Sequence, residues 1–294
     1  GARNGVEPAH RHASYADLVA DPAVDAVYIS TPHPFHAEHA LLALRAGKPV
    51  LVEKPAGLTA AQVAAVADVA ARAGLLFAEA YMYRCHPQIA RLLEILKSGE
   101  IGTPRHIRAQ FGFNAGFNPA SRLYDRALGG GGIMDVGGYP VSLARLVAGA
   151  AVGRAFADPV TVKGSGIVGQ SGVDEVAYGL LGFAGGFTAE VACAIARTMD
   201  NRAVIEGDKG RIELVDPWVP GRNAGPSDAT ISVTVGGETR VEVLRSPQHL
   251  FAFEAELFSR TIAEGATEAP FPALSPADSL GNAVVLDRWR AELG

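Results

Sequence analysis

Residues 1–84 alternate short apolar runs with longer stretches in which apolar residues recur every three or four positions. Continuous β-branched and aliphatic runs are typical of strands buried in a parallel sheet, whereas the longer stretches are typical of amphipathic helices. Gly47 and Gly74 supply helix stops, and prolines interrupt the chain after two of the runs. The pattern predicts helices at 14–20, 36–46 and 59–73, and strands at 26–30, 50–52 and 75–78.

This β-α-β-α-β order predicts a Rossmann-like, doubly wound parallel sheet. No G-x-G-x-x-G spacing precedes residue 26, and the glycine run 129–132 follows no predicted strand. A complete dinucleotide-binding half begins with a strand, a glycine turn and a helix, so we expect the first βαβ unit to be missing from this sequence. Residues 1–84 are therefore predicted to form a partial dinucleotide-binding domain.

The pattern changes after residue 84. Residues 105–113 alternate polar and apolar side chains, as a strand with one buried face does, and glycine-containing turns separate paired apolar segments further on. Residues 85–274 are predicted to form an α+β domain with a large open, mostly antiparallel sheet. Its predicted elements are helix 87–98, a helix after the glycine run, hairpins 203–206/211–214 and 231–235/239–244, and helix 248–264. Residues 275–294 form a C-terminal helix, 276–291, expected to pack back on the Rossmann-like domain.

The composition argues against several classes of protein. The 294 residues carry a formal net charge of −5 without a Lys/Arg cluster, which argues against nucleic acid or an anionic membrane as partner. No apolar run approaches the roughly 20 residues that a membrane helix needs. Cys85 and Cys193 lie outside any CxxC spacing, so neither a disulfide framework nor a zinc site is predicted, and the N-terminus lacks a signal-peptide pattern. We expect a cytoplasmic globular protein with a small ligand.

Two loops follow predicted strands at the edge where open α/β sheets bind ligands. Glu53-Lys54-Pro55 ends the second strand, and its charged pair is either a surface ion pair or a lysine that acts chemically. The segment from Thr31 to His36 follows the first strand and is a candidate for cofactor contact. His33, His36 and His39 have the spacing H-x-x-H-x-x-H, which could indicate a metal site. Only two of the three can share a helical face, so a solvated helix start is favoured.

Asp135 and Tyr139 lie four residues apart after the glycine run, so a helix begun by Asp135 would place both on one face. We expect the Lys54 ammonium to lower the pKa of Tyr139, which makes that phenol a candidate general acid or base. The alternative is a helix N-terminal acid and a packing tyrosine. Four consecutive glycines indicate a close backbone approach.

Together these motifs resemble the Gfo/Idh/MocA oxidoreductases, named for glucose-fructose oxidoreductase and inositol dehydrogenase, over essentially the whole chain. The resemblance rests on Glu53-Lys54-Pro55, Thr31-Pro32 followed by His36, Arg84-Cys85-His86-Pro87, and the glycine run with Asp135 and Tyr139. Tyr139 occupies a position that is histidine in the inositol dehydrogenases. The same position is tyrosine in the glucose-fructose, xylose and dihydrodiol branch, so the chain resembles that branch more closely.

The resemblance implies hydride transfer between NAD or NADP and a hydroxyl-bearing carbon of a sugar, polyol or cyclic diol. Lys54 would polarise the oxygen, Tyr139 would move the proton and Asp135 would hold the substrate. The implied cofactor-binding residues are Ser30, Thr31, Pro32, His36, Glu53, Lys54 and Pro55. The implied substrate-binding residues are Lys54, Arg84, His86, Arg122, Tyr124, Asp135 and Tyr139, and no metal is expected.

Two other functions stay open at this point. One is a non-catalytic ligand-binding or regulatory protein of the same fold, and the other is a glycoside hydrolase that oxidises its substrate transiently with a retained NAD. The choice between NAD and NADP also stays open. We expect a homodimer or homotetramer formed through the open sheet.

Overall fold

The computed structural model describes residues 2–221 and 225–294, and within them the strands form two sheets, of three and eight strands. The three-stranded sheet is parallel and the larger sheet is mostly antiparallel. The predicted fold class is therefore confirmed.

The small sheet has the order β1-β2-β3 and is built from alternating strands and helices. Side-chain caps start two of the helices, because Ser14 Oγ accepts from Asp17 N–H at 3.1 Å and Thr59 Oγ1 accepts from Gln62 N–H at 3.3 Å. The strands are β1 (Val27–Ile29), β2 (Val50–Glu53) and β3 (Phe77–Ala80), and the helices are α1 (Tyr15–Ala20), α2 (His36–Arg45) and α3 (Ala60–Ala73).

Strand β3 begins two residues later than predicted. Gly74 adopts a left-handed conformation with φ of 63°, and Leu75 N–H then donates to Ala70 O at 3.0 Å. Leu75 is therefore part of the turn that caps α3 rather than of the strand. The shift brings Glu79 into the strand, opposite Val52 of β2.

The strands of the large sheet are β4 (Pro104–Gly112), β5 (Pro159–Val168), β6 (Asp174–Phe183), β7 (Thr188–Ala194), β8 (Arg202–Gly207), β9 (Gly210–Val215), β10 (Ala229–Val235) and β11 (Glu238–Leu244). They lie in the order β11-β10-β9-β8-β4-β7-β6-β5, and the one parallel pair within the described residues is β4–β7. The predicted hairpins are confirmed as β8–β9 and β10–β11. Strands β5 to β7 were not predicted from the sequence, because glycines and exposed polar residues interrupt the apolar alternation in β5 and β6.

The described residues contain four further α-helices: α4 (Pro87–Ser98), α5 (Gly138–Ala151), α6 (Leu250–Ala263) and α7 (Pro276–Ala291). Helix α5 covers one face of the large sheet at β4 and β7. Helix α6 starts two residues later than predicted, because His249 is its N-cap. None of these helices, nor any other in the described ranges, is long and apolar enough to cross a bilayer.

Helix α7 has the predicted bounds and contacts both halves of the molecule. Ala283 packs with the core of the small sheet, while the fully buried Trp289 lies against the large sheet and donates from Nε1 to Tyr178 O at 3.0 Å. Gly164 and Gly179 leave room for the indole, since a Cβ at Gly164 would lie 2.7 Å from Trp289 Cδ1. The division of the chain at residues 84 and 274 stays a prediction.

We expect Trp289→Ala to lower the free energy of unfolding by about 3–5 kcal/mol, because it leaves a cavity and removes a hydrogen bond. Val284→Ala on the exposed side of α7 is the matched control, with an expected change of about 0.5 kcal/mol or less. Urea denaturation followed by circular dichroism measures both. Equal losses in the two variants would contradict the anchoring role of Trp289.

Candidate functional site

Lys54 projects from the C-terminal end of β2 towards the second half of the chain. Its Nζ donates to the backbone oxygen of Asp135 at 2.7 Å and lies 3.5 Å from Asp135 Oδ1. The same ammonium lies over the ring of Tyr139, 5.6 Å from the centroid. The structure thus brings together three residues that the sequence analysis singled out, and the Lys54 side chain retains 15% exposure.

Asp135 lies in a single π-helical turn, Ile133–Gly137, that leads directly into α5. Its carboxylate Oδ1 also accepts from Arg122 Nη1 at 3.0 Å. Burial opposes ionisation of Asp135, but the positive charges of Lys54 and Arg122 outweigh it and lower the pKa. Asp135 is therefore a buried anion held between two cations.

Tyr139 is buried, and its hydroxyl donates to Met82 Sδ at 3.4 Å. The ring packs edge-on against Tyr81 and Phe111. Burial raises the pKa of Tyr139 well above its usual value, and the negative charges of Glu53 and Asp135 add to that effect. The expectation that Lys54 lowers this pKa was wrong, because the ring is enclosed in the core and desolvation of the phenolate dominates.

His33 joins this cluster, although it was not among the predicted site residues. Its Nδ1 lies 3.1 Å from Gly129 O, and its Nε2 lies 3.5 Å from Arg122 Nη1. Burial lowers the pKa of His33 to about 4, and the charges of Lys54 and Arg122 act in the same direction. A neutral imidazole therefore faces the cluster, and its place in the Thr31-to-His36 loop was the signal available in the sequence.

His36 ties together the two loops at the sheet edge. Its ring nitrogens lie 2.7 Å from Pro55 O and 2.6 Å from Thr31 O, and the side chain is buried. Pro55 is buried as well, so these two residues lie behind the edge rather than on it. The predicted cofactor-binding residues that keep exposed surface are Ser30, Thr31, Pro32, Glu53 and Lys54.

The structure gives Arg84, His86 and Tyr124 other partners. The guanidinium of Arg84 is fully buried and donates to Pro272 O at 2.7 Å and to Asp278 Oδ2 at 3.0 Å. The buried His86 has Nε2 2.8 Å from Ser227 O. Tyr124 is buried in a small cluster with Val173 and Ile195. Of the four predicted substrate-binding residues Arg84, His86, Arg122 and Tyr124, Arg122 is the one that the structure joins to Asp135.

The glycines at 130 and 131 lie close to other parts of this chain, namely Asp174 and the backbone at Leu123. Gly131 has a φ of 109°, and a Cβ there would lie 2.3 Å from Asp174 Oδ1. The other carboxylate oxygen of Asp174 accepts from Ile133 N–H at 2.7 Å. At Gly130, a Cβ would lie 2.6 Å from Leu123 O. The close approach thus wraps the backbone around Asp174 and places the turn that carries Asp135.

Across the ranges 2–221 and 225–294, no three or more His, Cys, Asp or Glu side chains are grouped so that they could hold a metal ion.

Two family models match this chain. Residues 2–81 match an oxidoreductase family with an NAD-binding Rossmann fold, and residues 89–213 match the GFO/IDH/MocA C-terminal domain. The boundary between the two matches falls near the predicted change of pattern after residue 84.

The chain is also similar to individual proteins. It is 35% identical over 209 residues to the trans-1,2-dihydrobenzene-1,2-diol dehydrogenase of Mus musculus, a match over 71% of this chain and 60% of that enzyme. It is 31% identical to the Homo sapiens enzyme over 96% of this chain and 81% of that one. The chain therefore spans about 60% of the length of the mouse relative.

Among solved structures, KijD10, a 3-ketoreductase from Actinomadura kijaniata in complex with NADP and TDP-benzene, superposes with a TM-score of 0.81. The sequence identity is 28%, and the match covers 95% of this chain and 82% of KijD10.

We expect Gly131→Ala to destabilise the fold by about 2–4 kcal/mol, because it adds a clash with Asp174 to an unfavourable backbone conformation. Gly116→Ala is the matched control: Gly116 also has a positive φ, of 68°, but its Cβ would meet nothing within 4 Å. Its expected cost is about 1 kcal/mol, from the backbone alone. Urea denaturation compares the two, and equal costs would show that the approach to Asp174 is not tight.

Proposed function

This chain belongs to the GFO/IDH/MocA oxidoreductase family, and we propose that it transfers a hydride between NAD or NADP and a hydroxyl-bearing carbon of a sugar, polyol or cyclic diol. The observation that carries the proposal is the Lys54 ammonium at the sheet edge, held by Asp135 and lying over Tyr139. The relatives support the substrate class, since they include dehydrogenases of a cyclic diol and a 3-ketoreductase.

The accessible groups at the edge of β1 and β2 suit a nicotinamide cofactor. Ser30 is exposed, and Thr31, Glu53 and Lys54 are partly exposed, so hydroxyl, carboxylate and ammonium groups are available to ribose hydroxyls and a carboxamide. Ser30, Thr31, Pro32, Glu53 and Lys54 would contact the cofactor, while His36 and Pro55 fix the loops behind them. When bound, the nicotinamide ring accepts or supplies the hydride.

The chain's own residues then have distinct roles. Lys54 donates a hydrogen bond to the substrate oxygen and stabilises negative charge that develops on it. Asp135 stays ionised, so it accepts a hydrogen bond from a substrate hydroxyl and keeps Lys54 in place. Tyr139 stays a neutral phenol because its pKa is raised. That protonated form is the one that donates a proton when a carbonyl is reduced.

The open face of the large sheet supports self-association. It carries a groove of about 810 Å³, and the groove wall includes the exposed side chains of Tyr178 and Leu180. We propose that this face pairs with a second copy of the chain, because apolar surface rimmed by charges such as Arg108 and Glu190 is typical of protein interfaces.

The thiols of Cys85 and Cys193 are unpaired, which supports a cytoplasmic location, and a net charge of −5 disfavours nucleic acid as partner.

We expect Lys54→Ala to lower kcat for oxidation of sugars or cyclic diols by about 10²–10⁴-fold, because the group that stabilises charge on the reacting oxygen is lost. Initial rates with NAD and NADP measure the effect, and fluorescence titration with NADH and NADPH measures cofactor binding separately. Lys97→Ala, at an exposed lysine near the end of α4, is the matched control and should leave kcat unchanged.

An unchanged kcat in a Lys54→Ala variant that still binds cofactor would contradict the role of Lys54. Cofactor binding without turnover on any hydroxyl substrate would favour a ligand-binding protein. Release of free sugar from a glycoside without net reduction of the cofactor would favour the glycoside hydrolase.

We expect Leu180→Glu to convert a dimer or tetramer to a smaller species, because it replaces an exposed apolar side chain of the proposed interface with a charge. Light scattering coupled to size exclusion measures the mass. Val152→Glu, at an exposed position after α5, is the control and should keep the mass of the unmodified protein. A monomeric unmodified protein would contradict the proposed pairing.

A further inference from the structure

A buried carboxylate lies directly behind the segment 54–58, which we call the Lys54 loop. Glu79, in β3, accepts from the backbone N–H of Ala56 through Oε1 at 2.8 Å. Ala56 is fully buried and lies two residues after Lys54. The hydrogen bond thus fixes the backbone immediately beyond the proposed catalytic lysine.

Three contacts hold the start of this loop, one at each residue. Lys54 Nζ donates to Asp135 O, Pro55 O lies 2.7 Å from His36 Nδ1, and Ala56 N–H donates to Glu79. Because Pro55 has no N–H, Ala56 supplies the first backbone donor after Lys54. A buried donor without an acceptor is costly, so loss of Glu79 would force the loop to move.

The other oxygen of the Glu79 carboxylate makes no hydrogen bond of normal geometry with the protein, although the Ser279 hydroxyl approaches the carboxylate and opposes the effect of burial on its pKa. Oε2 of Glu79 and Oδ1 of Asn282 are both buried without a hydrogen bond, and both residues line a cavity of about 10 Å³. Pro55 and Gly57 of the Lys54 loop form another part of the wall. Such a cavity has room for one water molecule, and a water has two protons to donate, one to each oxygen.

Asn282 connects this cavity to the other side of the site. Its Nδ2 donates to Tyr81 Oη at 3.1 Å and to Gly138 O at 3.3 Å. Gly138 directly precedes Tyr139 at the start of α5. Since Gly138 O can only accept, the amide group is oriented and leaves Oδ1 as the acceptor without a partner.

We propose that Glu79 is a positioning residue for Lys54, and that one water in this cavity completes its hydrogen bonding by donating to Glu79 Oε2 and Asn282 Oδ1. The water then links the Lys54 loop, through Glu79, to the backbone next to Tyr139, through Asn282. Glutamine keeps an acceptor for Ala56 N–H at position 79, whereas leucine fills similar volume and offers none. The kinetic consequence rests on the proposed function, but the structural consequence does not.

Amide hydrogen exchange at Ala56, resolved by NMR on the full chain, tests the hydrogen bond without turnover. We expect Ala56 to be protected in the unmodified protein and in Glu79→Gln, and to exchange at least about 10-fold faster in Glu79→Leu. Asp228→Ala is the matched control. It removes a carboxylate that accepts from Ser246 N–H at 2.8 Å, away from the Lys54 loop, and should leave Ala56 exchange unchanged.

Steady-state kinetics gives the second reading. We expect Glu79→Leu to lower kcat by about 10–100-fold with little change in KM for the cofactor, as a displaced reacting group does. Glu79→Gln should restore kcat, and Asp228→Ala should keep it. A high-resolution crystal structure of the unmodified protein should show one water within hydrogen-bonding distance of Glu79 Oε2 and Asn282 Oδ1.

Rapid exchange of Ala56 in the unmodified protein, or equal exchange in Glu79→Leu, would overturn the positioning role even if Glu79→Leu were inactive. A cavity without water density would overturn the bridge to Asn282. If the chain catalyses no hydride transfer, the exchange and the crystal structure still decide this inference, so its failure is distinct from that of the proposed function.

Discussion

The contact between Lys54 and Asp135 joins the two halves of the chain at the site. Both charged side chains are largely removed from water. The Lys54 side chain keeps 15% exposure and the Asp135 side chain 6%. Removing two charges from water is unfavourable unless each has a close partner. Asp135 meets this condition through Lys54 and Arg122, and Lys54 meets it through both the backbone oxygen and the carboxylate of Asp135. The loops around this pair must therefore be held closely.

Two carboxylates hold those loops, the buried Glu79 on one side and the partly buried Asp174 on the other. Asp174 accepts the N–H of Ile133 in the turn that carries Asp135, and Glu79 accepts the N–H of Ala56 after Lys54. Burial raises the pKa of Asp174 to about 6 and that of Glu79 to about 7. Each of these carboxyl groups accepts a backbone N–H. The Lys54–Asp135 pair lies between the two segments that Asp174 and Glu79 fix.

Packing decides the protonation of Tyr139. Its ring lies among Tyr81, Phe111 and Trp218, and its hydroxyl reaches a methionine sulfur rather than water. A phenolate there would lose its hydration without a close donor, so the neutral phenol is strongly favoured. The Lys54 ammonium over the ring is compatible with this state, because the face of a neutral aromatic ring attracts a cation.

The sequence by itself determined the β-α-β-α-β order, both hairpins and the bounds of α7, and it singled out Lys54 and Asp135, which the structure brings into contact. These features depend on local periodicity, caps and strand-end positions, which neighbouring residues encode. The sequence did not show β5 to β7, the turn around Asp174, or His33 and Glu79 beside the site. Only the tertiary structure decided these, because the partners are far apart in the chain: Glu79 and Ala56 are 23 residues apart, and Lys54 and Asp135 are 81 apart. The pKa of Tyr139 was likewise decided by burial, a sum over the surrounding core that no local spacing records.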